Sequence, residues 1–160
     1  MTATVKNIFV SFLLCIVFVL SSNIVSVNAV ANEVVVESIS KSDGPSVPVT
    51  RDHRYRSDVT LYIEGENGKR TPSGWSTRVE DGAAVETPFE FQPGVNLIQG
   101  WTAGVLQMEE GERALLHVPS SLGYGNIPMG KKGGAFWIPA NSDLLFDIKI
   151  VGKAGDTSEL

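Results

Sequence analysis

Two histidines and one cysteine are the only imidazoles and thiol in these 160 residues, and that scarcity excludes whole classes of chemistry. No Cys–Cys or Cys–His spacing exists for a zinc site, and no disulfide can form within the chain. The cysteine, Cys15, sits in the uncharged run "IFVSFLLCIVFVL" (8–20), which follows Lys6 and precedes the polar "SSN". A charged start, a short apolar stretch and the small-x-small sites "VNA" (27–29) and "AVA" (29–31) have the form of a secretory signal peptide. Cleavage after Ala29 or Ala31 is expected, and it removes the thiol. A retained anchor is the competing reading. The run falls short of the ~20 residues that span a bilayer, although "IVSV" (24–27) could extend it.

Positive charge is also scarce. Thirteen Lys and Arg face 18 Asp and Glu, a net charge of −5 that becomes −6 once Lys6 is lost. That balance excludes nucleic acid as a partner and an electrostatically bound anionic membrane surface. A membrane role is left only to an uncleaved leader. There is no Asn-x-Ser/Thr acceptor for glycosylation. "GYG" and "GGAFW" are not phosphate loops, because neither leads from a strand into a helix with a lysine. "SSLG" and "LGYG" lack the spacing of a nucleophile elbow. His53 stands alone in the basic loop "RDHRYR" (51–56), and Glu109–Glu110 reads as a solvated charge pair in a turn. Nothing supplies a nucleophile, a strong general base, a metal site or a cofactor site.

What is present is alternation and aromatics. "NEVVVESIS" (32–40), "VTLYIEG" (59–65), "TPFEFQPG" (87–94), "RALLHVP" (113–119) and "LLFDIKIVGK" (144–153) read as strands. In the last, Leu144, Phe146, Ile148 and Ile150 fall on alternate positions and share a face. His117 alternates with Leu116 and Val118 and is expected on the outer face. "ENGKRTPSG" (66–74) reads as a loop, and 120–143 as a long irregular segment. One stretch, "LIQGWTAGVLQM" (97–108), has helical spacing, with Ile98, Trp101, Val105 and Met108 on one side. The predicted class is α+β: an antiparallel sheet of about five strands with one short helix across its apolar face. Aromatic residues gather in loops and at element ends, where they tend to line a pocket.

The ordered run "PFEFQPGVNLIQGWTAGVLQMEEGERALLHVPSSLGYG" (88–125), followed by "WIPANSDLLFDIKI" (137–150), resembles the FKBP-type peptidyl-prolyl isomerases. The likeness combines Phe-x-Phe, Ile-x-Gly-Trp, Gly-x-x-x-Met, Gly-Glu-Arg, Tyr-Gly and Ile-Pro. It is close over 86–152 and loose over 34–85. It implies an organisation of leader (1–29), N-terminal strand and loop (30–57), isomerase domain (58–153) and tail (154–160).

It also implies a sheet wrapped around the helix, with a proline pocket floored by the helix start. Trp101 would lie flat beneath the prolyl ring, Ile98 would offer its N–H, and Tyr124 would offer its hydroxyl to a bound carbonyl. Tyr62, Trp75, Phe89, Leu97, Ile138 and Phe146 would bind substrate. The implied partners are proline-containing polypeptides and the macrolides tacrolimus and rapamycin; no cofactor or metal is implied, and a monomer is expected. The family usually places Phe-Asp after the loop of the second strand, where this chain has Trp75-Ser76. That substitution motivates an alternative, a non-catalytic peptide-binding module or chaperone of the same fold. The terminal "TSEL" partly matches an ER-retrieval signal. With the leader it predicts an ER lumen protein, or one secreted or routed through the ER to an organelle.

Overall fold

The computed structural model describes residues 32–83 and 86–155. The leader with Cys15, the cleavage sites at Ala29 and Ala31, and the "TSEL" tail lie outside the described residues.

Among the described residues, eight strands and one α-helix follow in chain order. They are β1 (Val35–Ser40), β2 (Tyr55–Glu64), β3 (Arg70–Ser76), β4 (Phe89–Phe91), α1 (Gln99–Val105), β5 (Arg113–Val118), β6 (Met129–Gly130), β7 (Trp137–Ile138) and β8 (Asp143–Lys153). The main sheet has the order β1-β5-β8-β2-β3, with β4 pairing β2 beyond that path, so it has six strands. All its pairings are antiparallel. The expected α+β class, an antiparallel sheet with one short helix, is the observed one.

The period-two pattern explains the central strands. In β8, Leu144, Phe146, Ile148 and Ile150 are all buried. They oppose Val118, Leu116 and Ala114 of β5 on one side and Ile63, Leu61, Val59 and Ser57 of β2 on the other. This shared face receives the helix.

The helix is shorter than its sequence pattern, spanning Gln99–Val105, while Met108 continues into the core just beyond it. Two glycines set its closeness to β5. A β-carbon on Gly100 would meet Val118 Cγ1 at 2.1 Å, and one on Gly104 would meet Leu116 Cδ2 at 2.4 Å. Both glycines weaken an isolated helix, so the close docking outweighs local propensity.

Two segments depart from expectation. The "ENGKRTPSG" stretch is not simply a loop. After one 3₁₀ turn at Glu66–Gly68, residues 70–76 pair with β2 as β3. Leu61 opposes Trp75 while Tyr62 opposes Pro72, so Ser73 and Gly74 form a bulge. Pro and Gly are the residues a bulge accommodates, which is why the stretch reads as a turn. The irregular segment 120–143 contains a 3₁₀ turn at Ser120–Leu122 and the hairpin β6–β7.

Candidate functional site

A cavity of about 400 Å³ opens where α1 meets β3, β4 and β8. Its floor is Trp101, which is 3% exposed. The indole meets Phe89 at 5.6 Å and 78°, Phe91 at 5.5 Å and 82°, and Phe146 at 5.0 Å and 85° between ring centroids and planes. Edge-to-face packing against three rings fixes the indole plane, and each such contact adds about 0.5–1.5 kcal/mol beyond burial. Phe89 also meets Trp75 edge-on at 5.6 Å. Period two places Phe89 and Phe91 on one face of β4, with their rings nearly parallel at 9°.

Leu97 and Ile98 form the entry to the helix and line the cavity beside Asn96. Ile98 is the helix N-cap, with extended backbone angles, and its carbonyl accepts from Thr102 N at 3.3 Å. Its own N–H donates to no described backbone carbonyl. A residue preceding the first helical turn has no intrahelical acceptor, so this donor is free for a bound chain. Tyr124 lines the same cavity. Burial pushes its phenol above the ordinary value, so it stays a neutral donor at physiological pH. Its loop is held by Gly125 N to Ser120 O at 2.8 Å and Asn141 N to Gly125 O at 2.6 Å.

Seven of the residues singled out from sequence therefore surround one cavity: Trp75, Phe89, Leu97, Ile98, Trp101, Tyr124 and Phe146. Tyr62 and Ile138 do not line it. Tyr62 follows Leu61 in β2, and successive strand residues face opposite ways, so Leu61 takes the wall position. Tyr62 lies on the far face, where burial and then the charges of Asp81 and Asp147 push its phenol up. Ile138 is fully buried in the core behind the pocket. Phe136, two residues earlier, supplies the wall instead. Its signal in the sequence was its place among aromatic residues in a glycine-rich loop.

No carboxylate, imidazole, ammonium or guanidinium lines the cavity. Ser76 points away from it, into an adjoining hollow with Thr77, Thr87 and Pro88. Its Oγ lies 2.8 Å from Thr60 Oγ1, which donates to Asp81 Oδ2 at 2.6 Å. The chain beyond Glu80 thus returns a carboxylate to the back of the pocket wall. Arg78, with a side chain 7% exposed, ties this segment down through Asp58 O at 3.1 Å and Asp147 Oδ1 at 3.3 Å. Arg113 grips Asp147 with both Nε and Nη2, at 2.9 and 2.8 Å. Burial opposes ionisation of Asp147, but these hydrogen bonds and charges prevail and hold its carboxyl below the ordinary value.

The other polar groups considered from sequence lie elsewhere. Glu109 and Glu110 pair with Lys41 and Lys153 at 3.2 and 3.5 Å. His117 Nδ1 donates to Glu64 across the outer face, 2.9 Å from Oε1. Among the described residues no group of three metal-ligating side chains occurs, and no helix is long and apolar enough to cross a membrane.

An antiparallel sheet closed over one short helix, with an aromatic cavity at the helix start, is the FKBP-like class of fold. Among solved structures, the chain matches the crystal structure of AtFKBP13 with a TM-score of 0.56 and 28% identity, covering 78% of this chain and 98% of that one. The N-terminal domain of FKBP42 from Arabidopsis thaliana has the same fold, with a TM-score of 0.59 at 22% identity over 76% of this chain and 87% of that one. The family model described as FKBP-type peptidyl-prolyl cis-trans isomerase matches residues 53–151, and the chain belongs to that family. It is 34% identical over 125 residues to FK506-binding protein 1 of Saccharomyces cerevisiae, covering 76% of this chain and 94% of that relative. It is 49% identical over 67 residues to FK506-binding protein 2 of Dictyostelium discoideum, where the match covers 41% of this chain and 47% of the relative. A chloroplastic isomerase, FKBP13 of Arabidopsis thaliana, is 34% identical over 104 residues, 57% of this chain and 50% of that one.

Proposed function

We propose that this chain catalyses cis–trans isomerisation of X–Pro bonds in client polypeptides, with Trp101, Ile98 and Tyr124 as its catalytic residues. The observation that carries the reading is an uncharged aromatic cavity with two donors at its edge, Ile98 N–H and Tyr124 O–H. Unaided, an X–Pro bond crosses a barrier comparable to the ~18–20 kcal/mol of amide rotation and takes tens to hundreds of seconds. The planar amide owes part of its stability to resonance that separates charge, which water favours. A dry pocket binds the twisted amide, which has lost that charge separation, better than the planar one. Only such differential binding lowers the barrier.

Each residue then has a defined task. The Trp101 indole, fixed by three phenyl edges, supports the prolyl ring. Trp75, Phe89, Leu97 and Phe146 enclose it, together with Leu61 and Phe136. Ile98 N–H and Tyr124 O–H each donate to a client carbonyl and hold the chain on both sides of the rotating bond. No covalent step is needed, so the uncharged lining is no handicap. The same cavity is proposed to accept macrolides of the tacrolimus and rapamycin type.

A protease-free isomerisation assay on an Ala-Leu-Pro-Phe peptide tests the reading, with rate enhancement proportional to enzyme concentration expected. Turnover at the uncatalysed rate while the peptide still binds would make the protein a non-catalytic binder. The leader-like start and the "TSEL" tail support a further reading, that the protein enters the secretory pathway. In a secretory host the mature chain should begin at Val30 or Asn32, and deleting "TSEL" should raise the secreted fraction. Equal secretion with and without the tail would remove it as a retrieval signal.

A further inference from the structure

The β6–β7 hairpin brings two adjacent lysines, Lys131 and Lys132, beside the pocket wall. Phe136 lines the cavity, and Lys131 N donates to Phe136 O at 3.1 Å across the hairpin. Facing residues of an antiparallel pair have Cα atoms about 4.5–5.5 Å apart, so Lys131 stands one strand-width from the wall. Lys132 follows at the tip. Both lysines are exposed, and neither makes a salt bridge among the described residues. The rest of the chain is predominantly acidic, which makes this unpaired basic pair conspicuous.

The hairpin is also seated firmly. A β-carbon on Gly74, in the β3 bulge, would come within 1.7 Å of Ala135 O. Only glycine lets the hairpin backbone press against β3 there. Within the hairpin, a β-carbon on Gly130 would meet Phe136 O at 2.2 Å. With φ of 79° at Gly130 and 77° at Gly133, the turn uses backbone conformations that L side chains rarely adopt. The tip is therefore held at the mouth by a backbone-to-backbone seat on one side and by the wall residue on the other.

We propose that this hairpin selects clients bearing a carboxylate side chain within a few residues of the proline. The proposal rests on the isomerase reading of the pocket. A client seated with its proline on Trp101 runs out past the hairpin, where two unpaired ammonium groups favour Glu or Asp and disfavour Lys or Arg. Because the groups are exposed, the interaction is modest and screened by salt, with a Debye length of about 10 Å at 0.1 M.

The test compares kcat/KM for otherwise identical proline peptides with Glu, Gln or Lys at each of the two positions on either side of the X–Pro pair. At low ionic strength at least one position should favour Glu over Gln by about two- to fivefold, with Lys below Gln. That ratio should approach one in 1 M salt. The double variant K131Q/K132Q should bring the Glu-to-Gln ratio to one, and K131E/K132E should invert it. A wild-type ratio of one at every position, or a ratio retained in K131Q/K132Q, overturns the proposal. If no peptide is turned over, the isomerase reading fails. The same ratios taken from peptide dissociation constants, followed by tryptophan fluorescence, then decide the charge selection on their own.

Discussion

Trp101 and Phe146 meet edge to face, 5.0 Å apart at 85°, so the last strand fixes the attitude of the helix's only aromatic residue. Phe89 and Phe91 do the same from β4. Trp101→Leu removes all three contacts and the flat surface at once. It should destabilise the domain by up to about 3 kcal/mol, less than a truncation to alanine, and weaken proline-peptide binding by about tenfold or more. Denaturant titration and calorimetry measure the two effects separately. A folded variant that binds as well as the wild type would show that the indole is not the platform.

Tyr124→Phe removes one hydroxyl and almost no apolar area, so the fold should survive. A hydrogen bond to a neutral carbonyl contributes about 0.5–1.5 kcal/mol net. The expected result is a fall in kcat/KM of about two- to twelvefold. Complete loss of turnover in the folded variant would mean that the hydroxyl transfers a proton, contrary to catalysis by desolvation.

Gly100→Ala improves local helix propensity by about 1 kcal/mol yet should destabilise the protein. The added methyl would stand 2.1 Å from Val118 Cγ1 and 3.1 Å from Leu122 O. Overpacking of this kind costs about 1–3 kcal/mol. Val118→Ala should relieve it, giving a favourable coupling in a double-mutant cycle. Additive effects would place the strain elsewhere.

Gly74→Ala strains a residue at φ of 86° and drives its methyl into Ala135 O. The hairpin should lift from β3 and carry Phe136 out of the wall. Peptide affinity should fall by several-fold, on the scale of a modest interface truncation, with a larger rise in KM than fall in kcat. An unchanged KM would show that the hairpin sits independently of Gly74.

Asp147 is expected to contribute to the acid limb of stability. Its folded carboxyl titrates below the ordinary range, so the unfolded chain binds a proton first as pH falls. The stabilisation is fully present above the unfolded value, about 3.9, and disappears as pH drops through the lower folded value. Thermal melts should therefore show a steep loss of Tm below about pH 4. Asp147→Asn should flatten that limb and cost about 3 kcal/mol at neutral pH, because Arg78 stays buried with a weaker partner. An unaltered acid limb in the variant would assign it to other carboxylates.

Much of this architecture is readable along the chain. The alternation of β8 and β5, the helical spacing around Trp101 and the Phe-x-Phe of β4 each report a face directed at one core. β3 is not readable, because a bulge uses the same Pro and Gly that a turn does. Leu61 stands opposite Phe146 of β8 and shares its face, so it takes the wall position expected of Tyr62. Parity in a strand tells which residues share a face but not which face meets the helix. An aromatic residue attracts the assignment to a pocket even when its neighbour points there.

The sequence by itself carried the class of fold and the uncharged character of the site, because these depend on period and side-chain type, and its resemblance to the FKBP-type isomerases picked out seven of the residues around the cavity. Tertiary structure alone decided three further features. It set Leu61 and Phe136 into the wall, turned Ser76 away while bringing Asp81 in behind it, and seated the lysine-tipped hairpin on Gly74. Each depends on which backbones come within a few ångströms of one another, and that is fixed by bulges and glycine seats between segments far apart in the chain.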